Sequence, residues 1–487
     1  MRLKTKFLSW SAGRPVAILH KKLAEKASIH VDDRILISKN SKKIVAVVDI
    51  ATGLLQKNEI ALSTEIIKII KSKEGENVEI EIADKPESLE FISKKLACKQ
   101  LGKKELMKII QDIVKNNLTE SEIAYFISAV YKCGMTMKEI ALLTKAIVDT
   151  GKKLNIKGEI ADKHSIGGIP GRTTPIIVSI CAASGLIIPK TSSRAITTPA
   201  GTADALEVIC KVDFSIPEIK KIIKKTNACM VWGGSLGLAP ADDKLIQVER
   251  VLNLDPESQL LASIMAKKLS VNAKYILIDI PYGKNAKVDK KEALRLKDKF
   301  QKLAKYFRLK LECVLNETNE PLGNGIGPAL EIKDVIKVLK RQDFCYKLEE
   351  RALKLSGQLL ELTGKAKKNK GILLAKEILN SGKAFKKFRQ IIQAQKGNVN
   401  HIKEAKFRKD IFTKRNCRII SIDTKKINHL ARILGCPADK FAGIYLYKHV
   451  GDKISKGEKI LILYSESKSE LEDGIKFYHK NIPLTLK

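Results

Sequence analysis

The chain has 487 residues, more than one hydrophobic core usually serves, and at about 150 residues per domain it points to roughly three domains. Hydrophobic residues make up 44% and charged residues 30%, the balance of a folded protein rather than a disordered one. The net charge of +36 directs attention to phosphorylated or polyanionic partners, yet the lysines are spread along the whole length without an aromatic-interleaved basic motif. Most of that charge is therefore read as solvated helix surface, and no specific nucleic-acid partner is expected. The nine cysteines, Cys98, Cys133, Cys181, Cys210, Cys229, Cys313, Cys345, Cys417 and Cys436, are odd in number and form no CxxC pair. This argues against a disulfide framework or zinc knuckle and for a reducing cytoplasm. The opening MRLKTKFLSWSAGRP has no long apolar core, so no signal peptide is expected, and no run of about 18 apolar residues suggests a membrane span.

Residues 1–85 carry short β-branched runs, Arg34–Ser38, Lys43–Ile50 and Asn77–Ala83, separated by polar turns. They predict a β-rich N-terminal domain. Residues 86–155 read as a helical domain. Thr119 with Glu122 and Thr136 with Glu139 have capping-box spacing, Gly134 and Gly151 stand where helices stop, and Ile123, Phe126, Ile127 and Val130 recur at helical spacing. From 156 to about 405 strand-like runs end in Gly/Ser/Thr loops and helix patterns follow. Tyr275–Ile280 suits a buried strand, about Lys290 to Phe307 an amphipathic helix, Leu311–Leu315 a further strand and Leu322–Gly327 a glycine-rich loop. Such alternation predicts an α/β domain with a mostly parallel sheet. Residues 406–487 return to β texture at Gly443–Tyr447 and Lys459–Tyr464 and predict a C-terminal α+β domain. The whole is a multidomain α/β chain.

Two loops concentrate the polar chemistry: Asp162–Thr174 (DKHSIGGIPGRTT) and Thr191–Thr202 (TSSRAITTPAGT). A phosphate needs glycines that let backbone amides approach, hydroxyls that donate hydrogen bonds, and a cation. Both loops supply all three, although neither contains the GxxxxGK[ST] spacing of a P-loop, and glycine-rich turns before helices are often only structural.

The first loop resembles the DKHSTGG signature of the thymidine and pyrimidine-nucleoside phosphorylases. PKTSSRAITTPAGTAD resembles that family's second loop, SIMAKKL at Ser263–Leu269 is similar to its Ser-Ile-Met-x-Lys-Lys-Leu helix, and Asn319–Glu331 and Gly382–Gly397 are similar to later family segments. Order and spacing agree from about Ser88 to the C-terminus, some four-fifths of the chain. The resemblance implies that inorganic phosphate attacks C1′ of a ribosyl group while the base leaves. It also implies that the helical domain takes in a later segment near 242–271. Two departures point to the archaeal branch that cleaves AMP. Val248 stands where the pyrimidine enzymes carry a base-reading Arg, and SRAITT replaces a GRGLGHT-like run; the extra N-terminal domain agrees.

Carried over residue by residue, the resemblance implies phosphate ligands at Lys163, Ser165, Thr174 (a Ser in the pyrimidine enzymes), Ser192 and Thr202. Contacts to a nucleoside 5′-monophosphate, AMP and also CMP or UMP, fall on Gly168, Ser193, Arg194, Ala195, Ile196, Thr197, Thr198, Thr202, Ser263 and Lys287. Gly167 is the alternative to Gly168, and Arg194 either binds the 5′-phosphate or orders its loop. Asp255 is the implied general acid for the leaving base, with a helix cap or turn before Pro256 as the structural alternative. His164 is a second candidate acid. No metal or other cofactor is implied, phosphate being a co-substrate, and a homo-oligomer, a dimer or larger, is expected. The nearest alternative activity is phosphorolysis of unphosphorylated pyrimidine nucleosides.

Overall fold

The computed structural model describes residues 1–195, 198–400 and 402–487. They form two compact units, Met1–Thr150 with Pro240–Ala262, and Gly151–Ala239 with Ser263–Lys487.

The first unit begins with six strands: β1 (Arg2–Lys6), β2 (Val16–His20), β3 (Arg34–Lys39), β4 (Lys42–Ala51), β5 (Glu59–Leu62) and β6 (Asn77–Ile82). They close into a barrel in the order β1-β5-β2-β4-β3-β6. Period-two alternation drives the closure. In β6, Val78 and Ile80 point into the core while Glu79 and Glu81 are exposed, and Leu3, Leu19, Ile35, Ile37 and Leu62 fill the interior. Four helices follow, Ser88–Leu96, Lys103–Val114, Glu120–Cys133 and Met137–Thr150, and Pro240–Leu252 packs against the last three. Both capping boxes form. Thr119 Oγ1 accepts from the Glu122 amide at 3.3 Å and Thr136 Oγ1 from the Glu139 amide at 3.2 Å. Arg34, buried in the barrel wall, ties barrel to bundle by donating to the Asn117 carbonyl at 2.9 Å and pairing with Glu122.

One expectation is corrected here. Cys98 and Cys133 form a disulfide across 35 residues of chain, with Cα atoms 5.2 Å apart. The ends of two neighbouring helices bring them together, which cysteine counting and local spacing do not register. The remaining seven cysteines are free and buried.

In the second unit, β7 (Ala161–Ser165), β8 (Ile188–Ser192), β9 (Ala228–Trp232), β10 (Tyr275–Tyr282) and β11 (Lys310–Glu317) pair in parallel. The bridge between Ile160 and Ile187 joins the two ladders, so the order is β11-β10-β7-β8-β9. Almost every residue of β10 is buried, as a strand covered on both faces requires. The helices Thr173–Ala183, Tyr346–Leu362, Gly371–Asn380 and Lys383–Ala394 share one core with the sheet. Beyond it, β12 (Gly325–Ile326), β13 (Phe407–Phe412), β15 (Gly443–Leu446) and β17 (Lys459–Ser465) form an antiparallel sheet. A smaller one contains β14 (Cys417–Ile422), β16 (Lys453–Ile454) and β18 (Leu484–Leu486). Helices Thr424–Ile433 and Lys468–Lys480 pack into the same core, giving the α+β end of the chain. Among the described residues no helix is long and apolar enough to cross a membrane.

Candidate active site

Both polar loops leave the C-terminal ends of adjacent parallel strands, where an open α/β sheet places its ligands. The first runs from the end of β7 to the helix Thr173–Ala183, the second from the end of β8 to the short helix Thr202–Glu207. Arg172 joins them: its guanidinium pairs with buried Glu331, donates to the Ala200 carbonyl and lies 3.4 Å from Thr198 Oγ1. Burial pushes the Glu331 carboxyl up, opposed by Arg172.

Lys163 is buried in β7. Its Nζ lies 3.4 Å from both Thr173 Oγ1 and Thr174 Oγ1, in the first turn of the following helix, and 3.8 Å from Asp279 Oδ2. Burial lowers its pKa, Asp279 works against that, and Arg351, Arg172 and Lys268 add to it. Ser165 Oγ accepts from the Gly167 amide at 3.5 Å. Thr202 opens its helix. Among the described residues, buried Ser192 Oγ and the neighbouring Thr191 Oγ1 have no hydrogen-bond partner. A buried hydroxyl without a partner is costly, so Ser192 Oγ, at the strand end where the second loop begins, marks a place suited to a polar ligand.

Beneath the loops lies a charge cluster that the sequence reading did not single out. Asp162, fully buried, binds Lys268 Nζ at 2.6 Å, accepts from the Lys163 amide at 2.7 Å and lies 3.9 Å from Lys190 Nζ. Asp279 accepts from Asn316 at 2.8 Å and lies 3.9 Å from Arg351. Cations outnumber carboxylates here, which favours an incoming anion. Asp162, Lys190 and Lys268 all stand inside the recognised motifs; the missing signal was their pairing, across 106 residues for Asp162 and Lys268.

His164 sits among these lysines. Desolvation first, then Lys268, Lys190, Lys267 and Lys163, hold its pKa well below 6.5, so the ring is neutral and a poor proton donor at neutral pH.

Arg194 is engaged rather than extended. It forms a fork with Glu207 at 2.8 and 2.9 Å, reaches Asp204 at 3.1 Å and stacks over Trp232 at 4.8 Å. Asp204 also accepts from the Ala195 and Gly201 amides, both at 2.7 Å. A Cβ at Gly201 would stand 2.4 Å from the Arg194 carbonyl carbon, so the loop folds back on itself only because that residue is glycine. The arrangement holds the guanidinium against the acidic residues that follow its own loop. Ser193 accepts through its carbonyl from Ala203 N at 3.4 Å, and Thr198 Oγ1 donates to the Ala200 carbonyl at 2.8 Å. Ile196 and Thr197 lie outside the described residues.

Gly168 and Lys287 come together, Gly168 lying flat against the Lys287 backbone. On the helix Glu257–Ser270, Lys267 donates to Ser263 Oγ at 3.0 Å. Asp255 belongs to the first unit; it is exposed and directly precedes Pro256, whose carbonyl accepts the first helical bond from Leu260.

Comparison with known proteins places these features in a lineage. Family models match at residues 89–151 (glycosyl transferase family, helical bundle domain), 157–385 (glycosyl transferase family, a/b domain) and 418–485 (pyrimidine nucleoside phosphorylase C-terminal domain). The AMP phosphorylase of Methanocaldococcus jannaschii is 42% identical over 91% of this chain and 90% of its own length. That of Pyrococcus furiosus is 41% identical over 100% and 98%, and that of Methanococcus vannielii 39% over 99% and 97%. Among solved structures, the anthranilate phosphoribosyltransferase of Thermus thermophilus superposes with a TM-score of 0.54 at 16% identity. It covers 63% of this chain and 99% of that one, a likeness of fold.

Proposed function

Since the chain belongs to the AMP phosphorylases of the pyrimidine-nucleoside phosphorylase family, we propose that it cleaves AMP with inorganic phosphate to adenine and ribose 1,5-bisphosphate. CMP and UMP are the further substrates of this reading. The observation that carries it is the pair of hydroxyl-bearing loops, joined through Arg172 and set over excess buried positive charge.

In the proposed mechanism Lys163, Ser165, Thr174, Ser192 and Thr202 hold phosphate beneath C1′. Gly168, the loop from Ser193 to Thr198, Thr202, Ser263 and Lys287 hold the nucleotide. A phosphate oxygen forms the new bond to C1′ as the C1′–N bond breaks, and that electron pair leaves with the base. Positioning supplies much of the rate, and the fixed anion stabilises a cation-like sugar. Asp255 gives the leaving base its proton, while neutral His164 serves as a hydrogen-bonding group rather than the acid. Phosphate is the co-substrate and no metal or other cofactor takes part. The enzyme works in the cytoplasm as a homo-oligomer.

The test is phosphate-dependent base release from AMP, adenosine and uridine, with and without a chelator. Release from AMP only when phosphate is present, unaffected by the chelator, is expected. Efficient turnover of uridine with none of AMP would instead select a nucleoside phosphorylase.

A further inference from the structure

We propose that Lys190 is the proton-accepting cation of the phosphate site, taking up a proton from solvent as doubly charged phosphate enters. The inference rests on the reading of the two loops as a phosphate site.

Three lysines, Lys163, Lys190 and Lys268, are buried at the foot of the loops, and they share two carboxylates. Lys268 takes the close contact to Asp162 at 2.6 Å, and the other Asp162 oxygen is held by the Lys163 amide. Lys190 is left 3.9 Å from that oxygen and donates instead to the Thr191 carbonyl. A neutral amine can still donate that bond, though more weakly than an ammonium. Lys190, like Lys163 at 3.8 Å from Asp279, thus lacks a close carboxylate, and the Asp162 it faces is already bound by Lys268.

The groups that face it are Asp162, Lys163 and His164 on β7, Lys267 and Lys268 on the helix Glu257–Ser270, and Cys229 on β9. Burial pushes the Cys229 thiol up, so Asp162 is the one anion in the set. Desolvation first and Lys268 next bring the Lys190 ammonium down to about 7, with Asp162 opposing. Two residues on, Ser192 presents a buried hydroxyl with no partner among the described residues. A dianion bound there adds two negative charges to the same low-dielectric neighbourhood and restores the protonated amine. The nitrogen lone pair takes the proton from the buffer, and nothing else changes covalently.

The sign follows from linkage. Above the free-state pKa the unbound amine is neutral and the bound one charged. Phosphate affinity therefore falls by about tenfold per pH unit above that point until the bound-state pKa is reached. At about pH 8.5 phosphate is already dianionic and His164 stays neutral, so the uptake belongs to the buried lysines, and Lys190→Arg distinguishes Lys190 from Lys163.

Inorganic phosphate is titrated calorimetrically into the full chain at about pH 8.5, in buffers of different ionisation enthalpy. The expected result is uptake of about one proton per phosphate in the native protein. Lys190→Arg, permanently charged, is expected to bind phosphate with no uptake and with an affinity flat from about pH 8 to 9.5. Lys190→Met is expected to bind more weakly, also without uptake. Should Lys190→Met fail to fold, Lys190→Arg and the native protein decide the matter. Phosphate binding without proton uptake in the native protein, or undiminished uptake in Lys190→Arg, overturns the role of Lys190 and leaves the phosphate site standing. No phosphate binding in any buffer overturns both.

Discussion

Gly168 and Lys287 meet backbone to backbone: a Cβ on Gly168 would stand 3.1 Å from Lys287 Cβ and 3.2 Å from its amide nitrogen. Gly168 also holds φ +93°, a conformation that side chains rarely adopt. Gly168→Ala therefore strains the loop and displaces Lys287 together. If both belong to the nucleotide site, KM for AMP rises about 10- to 100-fold while phosphate affinity stays within about threefold. Gly167→Ala is the internal comparison. Its φ of +87° is equally strained, but its Cβ would meet nothing within 4 Å, so the smaller effect belongs there. Equal effects on AMP and phosphate in Gly168→Ala would remove the Lys287 contact as the cause.

Arg172 and Glu331 make a second, separable prediction. Glu331 is 1% exposed, and Arg172 is the cation paired with it. Arg172→Met leaves a buried carboxylate unpaired, at a cost of about 3–5 kcal/mol, and frees the two loops from each other. The double variant Arg172→Met with Glu331→Gln removes the stranded charge, so most of the stability returns. Phosphate affinity does not, because the guanidinium bond to the Ala200 carbonyl is still lost. Denaturant unfolding and phosphate titration of the native protein and the two variants separate the two effects.

If Arg194 orders its loop, it does so through Glu207, and the fork between them holds the Glu207 carboxyl down to about 2. Arg194→Gln and Glu207→Gln should then impair AMP turnover to a similar degree, and the double variant should be little worse than either. Additive losses, with a larger loss for Arg194→Gln on AMP than on adenosine, would show the guanidinium on the 5′-phosphate instead.

What could be read from the residues alone was whatever is local. The capping boxes at Thr119 and Thr136 announce themselves at three-residue spacing, and the apolar run of β10 announces a buried strand. The loops at Lys163 and Ser192 carry their chemistry in their own composition. The short strands β1, β2 and β5 gave no such signal. Each holds its place in the barrel by pairing with distant chain, as β1 does with β5 and β6. The electrostatics of the site were hidden for the same reason. Asp162 reads as one acidic residue in a motif until Lys268 and Lys190 are folded against it. The Cys98–Cys133 disulfide depends on which helix ends become neighbours, which no count of cysteines contains.

His449 gives a pH prediction. Its ring lies between Glu320 Oε2 at 3.2 Å and Asn324 Oδ1 at 2.8 Å, two acceptors that an imidazolium satisfies at once. Burial disfavours the charged ring, but hydrogen bonds with Cys345 and Glu320 outweigh it and raise the pKa from 6.5 to about 9. A raised folded-state pKa stabilises fully below the unfolded value and loses that contribution as pH climbs. Stability of the second unit should fall between about pH 6.5 and 9, by roughly 3 kcal/mol at most. His449→Gln should flatten this limb of the profile; an unchanged slope would assign it to other groups.

Asp255 stands immediately before Pro256, exposed in the turn that precedes the helix Glu257–Ser270. Asn is close to Asp in size and has no carboxyl proton to give, so Asp255→Asn tests a chemical role. If Asp255 protonates the departing adenine, kcat falls by about 10²–10⁴-fold while KM for AMP moves by no more than a few-fold. A second substrate sharpens the result. A ribose 5-phosphate glycoside with a leaving group acidic enough to depart as an anion needs no proton donor, so Asp255→Asn should cleave it at close to the native rate. A variant equally slow on both substrates would place the defect in folding or positioning, and near-normal release of adenine from AMP would remove Asp255 from the chemistry.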